Sequence, residues 1–102
     1  MHAKKAEGND MANQKHLDLL KKGSNTWNRW RGEHLDILPD LSEANLRYAD
    51  LRDTKLTRAD LTRANFSEAD LTRADFSGAD LNKAILVQTK LNNDSLTNCK
   101  VY

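Results

Sequence analysis

The sequence has little of what several common protein classes require. Cys99 is the one cysteine among 102 residues, which excludes an internal disulfide and a cysteine-based zinc site. Aromatic residues make up 6% and apolar residues 38% of the chain, which is thin for an ordinary globular core. No apolar run approaches the roughly 20 residues of a membrane span, and the N-terminus lacks the apolar core of a secretory signal. We therefore expect a soluble, cytoplasmic protein.

An excess of charge of one sign is also missing. Sixteen Lys and Arg face fifteen Asp and Glu, for a formal net charge of +1. Residues 1–37 carry seven basic and five acidic groups, and residues 38–102 carry nine basic and ten acidic groups. Binding to a phosphate backbone requires a basic patch or stripe. The charge balance therefore argues against a nucleic-acid partner, and the lack of a long apolar run argues against a membrane partner.

A five-residue repeat fills the second part of the chain. An apolar residue falls at every fifth position from Leu41 to Val101, and two residues before most of them stands an alanine. The residue between the two is often Asp or Asn. The predicted structural core consists of the central members of this series, namely Leu46, Leu51, Leu56, Leu61, Phe66, Leu71, Phe76, Leu81, Leu86 and Leu91.

Neither a helix nor one continuous strand buries residues that are five apart. In an α-helix, steps of five rotate the side chains by about 140° each and scatter them around the cylinder. In a flat strand, an odd step sends successive side chains to opposite faces. Within one unit, however, Ala-x-Leu has a spacing of two, so both side chains point the same way if the triplet is extended. The other two residues must turn the chain, as Thr62–Arg63 and Ser77–Gly78 are suited to do. The repeat therefore predicts a coil with repeated corners.

The pattern ADLTR, ANFSE, ADLTR, ADFSG and ADLNK within residues 59–83 resembles the pentapeptide repeat family. That resemblance implies a right-handed quadrilateral parallel β-helix with about twenty residues per coil. We accordingly expect an all-β solenoid of about three coils over residues 39–102. Several coils are needed because one repeat cannot bury its apolar side chains alone.

The segment before the repeats predicts a helical cap over residues 13–38. Asn13 is a candidate N-cap, Gly23 a candidate stop, and Ser24 a candidate start of a second helix. Its apolar residues Leu20, Trp27 and Trp30 are predicted to cover the first coil. The stretch HLDLLKKGSNTWNRWR resembles the leader of many cyanobacterial pentapeptide repeat proteins. Residues 1–12 are interpreted as a flexible leader, or in part as residues added for expression.

No candidate catalytic, cofactor or metal site emerges from the residue types and spacings. His2, His16 and His34 lack the spacing of a metal site, and we expect His16 to be solvated. Cys99 takes the place of an inward alanine and is interpreted as a buried thiol. With twenty residues per coil, Asp40, Asp60 and Asp80 would stack in a row. Stacked carboxylates suit acid–base chemistry or cation binding, but a solvated structural row is the favoured interpretation.

Two surfaces are candidate interfaces. Tyr48, Ile85 and Val87 occupy outward positions and form the best candidate apolar patch. The last coil, with Leu96, Val101 and Tyr102, has no recognisable lid. We expect this end to pair in a homodimer or to stack on another repeat segment. Trp27 and Trp30 are interpreted as cap residues, with ligand stacking as the alternative.

The predicted function is that of a non-catalytic scaffold or protein-interaction module without a cofactor. No nucleophile, base and orienting group converge in the repeat, which argues against an enzyme. Family members that protect DNA gyrase act as mimics of the DNA duplex through long, strongly acidic dimers. Inhibition or protection of a DNA-handling enzyme by charge mimicry is therefore the alternative, although this chain is short and balanced in charge.

Overall fold

The computed structural model describes residues 12–92, 95, 96 and 98–101, and its helices lie at the start. Helix α1 spans Gln14–Lys21 and helix α2 spans Ser24–Glu33. Asn13 caps α1 as the sequence predicts, since its side-chain oxygen accepts a hydrogen bond of 3.2 Å from the His16 amide. Gly23 separates the helices with a φ of 109°, which a residue with a Cβ rarely adopts.

From Asp40 onward, the chain winds so that residues twenty apart lie beside each other. Eight isolated parallel bridges join such pairs, and they include Asp40 with Asp60, Asp60 with Asp80, and Asp80 with Lys100. The bonding is regular: the Leu61 amide donates to the Asp80 carbonyl, and the Asp80 amide donates back to the Ala59 carbonyl. Four five-residue units thus make one coil.

A tight turn closes almost every unit. The amide of Ala64 donates to the carbonyl of Leu61 at 3.0 Å, and Arg63 between them has a φ of 61°. A hydrogen bond across four residues with a positive φ at the third defines a type II turn. In the described ranges, eleven residues at this position have a positive φ, and Gly78 is the one glycine among them. These turns are the corners that the repeat predicts.

The predicted fold class was wrong. Residues 12–92, 95, 96 and 98–101 contain two α-helices and no β-strand or sheet, so the chain is not an all-β solenoid. The turns explain the difference. Because a turn begins at every fifth residue, each unit has only one residue in a bridge, such as Asn65 between Asn45 and Ile85. Bridges that never adjoin along the chain do not make a strand.

The core lies inside the coils. The side chains of Leu56, Leu61, Phe66 and Leu71 are 0% exposed, and the small residues two positions before them, which are Thr54, Ala59, Ala64 and Ala69, are buried in the same interior. The rings of Phe66 and Phe76 meet edge to face with their centroids 6.1 Å apart. Further fully or nearly buried members of the predicted core are Leu46, Leu51, Phe76 and Leu81.

The interior opens toward the last coil. Leu86 is half-buried and Leu91, which was predicted to lie in the core, is 37% exposed. The cause is that, within the described residues, no further coil stacks on the side of Leu91 that faces away from Leu71. Leu91 therefore contributes less to the core than the other members of its series.

Candidate interaction surfaces

Helix α2 attaches to the first coil through two buried side chains. The indole Nε1 of Trp27 donates to the carbonyl of Lys55 at 2.7 Å, and Arg31 donates to the same carbonyl at 3.0 Å. The second guanidinium nitrogen of Arg31 donates to the Thr57 carbonyl at 2.8 Å and to its hydroxyl at 3.2 Å. Burial lowers the pKa of Arg31. The two residues thus satisfy carbonyls that a preceding coil would otherwise bond.

Further polar side chains complete the seam, by which we mean the contact between the cap and the first coil. The Asn28 amide accepts from the Lys55 N–H at 2.9 Å and donates to the Asp53 carbonyl at 2.9 Å, much as a peptide group would. On the opposite side of the coil, the backbone N–H of Asn13 donates to the Asp40 carbonyl. The Nδ1 atom of His16 accepts from the Asp40 amide at 3.0 Å. Side chains of the cap therefore replace backbone partners at two sides of the first coil.

His16 is buried, and the expectation that it is solvated was wrong. Its ring is 8% exposed and lies 5.1 Å from the Trp30 ring, centroid to centroid. Since Nδ1 accepts a hydrogen bond from an amide, the proton of the neutral ring must sit on Nε2. Desolvation by burial lowers the pKa of His16, against the opposing attraction of Asp40.

The cap residues singled out from the sequence form one aromatic and apolar cluster. Leu20 is 3% exposed and Trp27 is 0% exposed, whereas Trp30 is partly buried. The two indoles lie 5.3 Å apart, and Trp30 stacks on His34 at 5.2 Å. Because Trp27 is fully enclosed, it has no free face on which a ligand could stack.

A groove separates the junction of the two helices from the first coil. It has a volume of about 740 Å³, and its lining includes Leu20–Ser24 on one side and Asn45–Asp50 on the other. Tyr48 is 65% exposed at its rim, and the guanidinium of Arg47 lies over the Tyr48 ring, 5.5 Å from its centroid. The groove was not foreseen, since the sequence does not show where α1 and α2 meet the coil.

The lateral apolar residues lie in two separate places. Ile85 and Val87 are 44% and 60% exposed, and Ile85 pairs with Asn65. Asn65 in turn pairs with Asn45, which lies in the coil of Tyr48. A polar row of the middle coil therefore stands between Tyr48 and the Ile85–Val87 pair, and the predicted patch is not continuous.

The last coil presents a further apolar surface. Val101 is 45% exposed and Leu91 is 37% exposed, while Leu96 and Cys99 are partly buried beside them. Burial raises the pKa of the Cys99 thiol, which suits a thiol in a structural place more than a nucleophile. Tyr102, the remaining member of this predicted interface, lies outside the described residues.

The stacked carboxylates are engaged in local turns. The Asp60 carboxylate accepts from both the amide and the hydroxyl of Thr62, at 3.1 and 2.6 Å. Asn65 makes the same pair of bonds to Ser67. Asp50 instead accepts two hydrogen bonds from Arg52, which lower the pKa of Asp50 to about 2. A group held ionised in this way is a poor general acid or base at neutral pH.

The side chains of the described ranges offer no metal centre. Among residues 12–92, 95, 96 and 98–101, no three His, Cys, Asp or Glu side chains lie close enough to hold an ion. In the same part of the chain, neither helix is long and apolar enough to cross a membrane.

The repeats define the chain as a pentapeptide repeat protein. The model of the family described as pentapeptide repeats matches residues 40–78 and 55–98, with eight copies of the unit. The matched residues cover more than half of the chain, which belongs to this family. No curated protein matches the chain significantly. The family match does not reach residues 13–38, so the resemblance of that segment to cyanobacterial leaders remains a prediction.

Proposed function

We propose that this chain is a non-catalytic protein-interaction module that binds another polypeptide end-on, through its last coil. Membership in a repeat family supports a scaffold or interaction role. The carboxylates that resemble a catalytic row are committed to turns and to Arg52. The surface defined by Leu86, Leu91, Leu96 and Val101 is called the open end below.

The exposure of equivalent apolar residues in successive coils is the observation that supports this proposal. Leu51, Leu71 and Leu91 occupy the same place in three successive coils, and their exposed fractions are 3%, 0% and 37%. Likewise, Leu81 is 1% exposed and Val101, one coil later, is 45% exposed. Among the described residues, the open end thus carries side chains of core type that no other coil covers.

Backbone groups at the open end reinforce the argument. The amides of Leu71 and Leu81 donate to the carbonyls of Lys90 and Lys100, at 2.9 and 2.7 Å. The corresponding amides of Leu91 and Val101 have no such partner among the described residues. A partner that covers this end would bury apolar surface, at about 25 cal/mol per Å², and would pair these amides.

A second copy of the chain is the partner that we favour. Two open ends that meet about a two-fold axis present the same apolar residues to each other, and such isologous contacts are the commonest in soluble oligomers. Stacking on a repeat segment of another protein uses the same surface. The two partners differ in whether the purified chain associates with itself.

Sedimentation velocity over a range of protein concentrations tests this proposal. We expect the wild-type chain to dimerise, and Leu91→Glu or Val101→Glu to shift it to monomer, because a carboxylate would be buried without a partner. Val87→Glu is the matched control, since Val87 is 60% exposed on the lateral surface, and it should leave the dimer intact. Circular dichroism would verify that each variant is folded. A monomeric wild type, or a disruptive Val87→Glu, would contradict pairing through the open end.

Mimicry of duplex DNA receives little support. The rows of stacked carboxylates are interrupted, since Lys90 follows Asp70 and Lys100 follows Asp80. Asp53 is also ion-paired with Arg73. A supercoiling assay with DNA gyrase separates this function from the proposed one, and inhibition at micromolar protein would favour the mimic.

A further inference from the structure

Within the part of the chain that the structure describes, the edge of the first coil that faces the cap is only half covered. Each coil points amides and carbonyls toward the coil before it, and in the first coil these groups face α1 and α2. On the sides of Asp40 and Lys55, cap residues bond them, as described above. The sides of Asn45 and Asp50 face the groove instead.

The equivalent backbone amides and carbonyls one coil later show which hydrogen bonds are not made at this edge. The Asn65 amide donates to the Ala44 carbonyl, and the Asn65 carbonyl accepts from the Leu46 amide. Asp70 makes the matching pair of bonds with Ala49 and Leu51. The backbone amide and carbonyl of Asn45 and of Asp50, which occupy the same places in the first coil, have no such partners in the described part of the chain. This free edge has the bonding pattern to which an extended peptide adds.

The groove also has space for a short segment of chain. The groove of about 740 Å³ runs along this edge, between Asn45–Asp53 and the Leu20–Ser24 junction. Extended chain rises about 3.3 Å per residue, so five or six residues suffice to follow one side of the coil and pass its corner at Tyr48.

The charged residues that line the groove indicate which charge the bound segment should carry. The two acidic residues of the groove are already paired, because Asp50 binds Arg52 and Asp53 binds Arg73, at 2.8 and 2.7 Å. Lys21 and Lys22 are exposed in the last turn and C-cap of α1, and Arg47 is exposed across from them. The described ion pairs do not include these three cations. The free edge is therefore bordered by positive charge that has no ion-pair partner among the described residues.

We infer that the groove binds a short acidic polypeptide segment that bends at the corner of Tyr48 and pairs with the backbone of Asn45 before this corner and of Asp50 after it, while Lys21, Lys22 and Arg47 hold its carboxylates. This site lies at the end opposite to the open end. It stands or falls independently of the end-on association proposed above.

The test uses the full-length chain and a fluorescein-labelled, end-blocked hexapeptide with alternating valine and acidic residues, Val-Glu-Val-Asp-Val-Glu. Fluorescence anisotropy should show saturable binding that weakens as salt is raised, since exposed charges are screened. The same peptide with alternate amides N-methylated keeps its charges but loses its donors, and it should bind at least about tenfold more weakly. The version with lysine in place of each acidic residue should not bind.

Two variants separate the groove from other basic surfaces. Lys21→Glu/Lys22→Glu reverses the charge of the groove and should weaken binding by about tenfold or more. Lys83→Glu/Lys100→Glu makes the same change at exposed positions of later coils and should leave the affinity within about twofold. In ¹⁵N-labelled protein, bound peptide should protect the amides of Asn45 and Asp50 from exchange with solvent.

Three results would overturn the inference. The first is equal binding of the N-methylated peptide, which would leave charge alone as the cause. The second is protection of the Leu91 or Val101 amides in place of Asn45 and Asp50, which would move the peptide to the open end. The third is a change in sedimentation of Lys21→Glu/Lys22→Glu without peptide, which would make the occupant a second copy of the chain.

Discussion

The indole Nε1 of Trp27 lies 2.7 Å from the backbone carbonyl of Lys55, and this bond joins the α-helical cap to the first coil. Arg31, one helical turn later, donates to the same carbonyl. One carbonyl that a preceding coil would bond thus receives two side-chain donors from one face of α2. The cap covers the core and also replaces part of a missing hydrogen-bond ladder, because buried carbonyls without partners are costly.

We expect truncation of Arg31 to lower the free energy of unfolding more, per atom removed, than truncation of any other cap residue. Arg31→Ala leaves the carbonyls of Lys55 and Thr57 short of donors, and we expect the free energy of unfolding to fall by about 2–3 kcal/mol. Arg31→Lys should recover only part of this loss, because one ammonium cannot reach both carbonyls in the fork geometry of a guanidinium. Urea unfolding followed by tryptophan fluorescence measures both effects.

Arg29 offers the matched control for Arg31. It is exposed on the same helix, two residues away, and Arg29→Ala should change the free energy of unfolding by no more than about 0.5 kcal/mol. Equal losses for Arg29→Ala and Arg31→Ala would mean that helix propensity, not the seam with the first coil, determines the stability of the cap.

His16 makes the cap sensitive to acid. Its pKa is lowered in the folded chain from an ordinary value of about 6.5. Above that value both states are neutral and the full stability is present. As the pH falls below about 6.5, the unfolded chain gains a proton that the folded chain refuses, so stability is lost until the pH reaches the lowered pKa. Protonation of Nδ1 would also remove the acceptor of the Asp40 amide.

The expected measurement is a smaller free energy of unfolding at pH 5.5 than at pH 7.5. Desolvation of His16 outweighs the attraction of Asp40 for the proton, and Lys15 and Arg31 lower the pKa in the same direction as desolvation. His16→Gln keeps a side-chain acceptor that does not titrate, and it should flatten this difference. His34→Gln, which changes the ring that stacks on Trp30, serves as the control. A pH dependence that survives in His16→Gln would assign it to another group.

The five-residue spacing was informative about side-chain direction and misleading about fold class. Residues five apart enter one interior because a turn falls between them, and Leu61 and Phe66 are 0% exposed there. The same spacing, taken together with the resemblance to the pentapeptide repeat family, led to an expected β-helix. The turn bond from Ala64 to Leu61, however, uses the amide that would otherwise extend a bridge into a strand. Side-chain periodicity reports direction and does not report how many consecutive residues pair.

The seam between cap and coil could not be predicted for a different reason. Arg31 and His16 are polar residues on short helices, and such residues are mostly exposed. Their burial depends on carbonyls and amides of residues 40, 55 and 57, which lie some 24–26 positions away. The spacing of Arg31 four residues after the buried Trp27 is the one signal that places it on the inner face.

The side-chain oxygen of Asn65 should stabilise its turn without needing a charge. It accepts from the amide and the hydroxyl of Ser67, at 3.0 and 2.7 Å. Asn65→Ala removes both bonds and should lower the free energy of unfolding by about 1 kcal/mol. Asn65→Asp keeps the acceptor and should stay close to the wild type at pH 7, as Asp60 occupies the same place in its unit. Chemical unfolding compares the three chains, and an equal loss in both variants would make the amide nitrogen the important group.

Glu68 tests the backbone of the corners. Its φ of 59° is in the left-handed region, which is costly for a residue with a Cβ and more so for a β-branched one. Glu68→Ile should therefore lower the free energy of unfolding by about 1–2 kcal/mol. Glu68→Asn should be neutral or slightly stabilising, because asparagine tolerates this conformation.

Ser67 precedes Glu68 in the same turn and has no positive φ. Ser67→Ile therefore tests the effect of a β-branched side chain without the left-handed backbone. This variant also removes the hydrogen bond from the Ser67 hydroxyl to Asn65. The double variant Asn65→Ala/Ser67→Ile, compared with Asn65→Ala, removes that bond from the comparison. The added isoleucine should cost less there than at Glu68, as thermal and urea unfolding would both show. If isoleucine lowers the free energy of unfolding equally at both positions, a factor other than the left-handed corner limits which residues occur at every fifth position of the repeat.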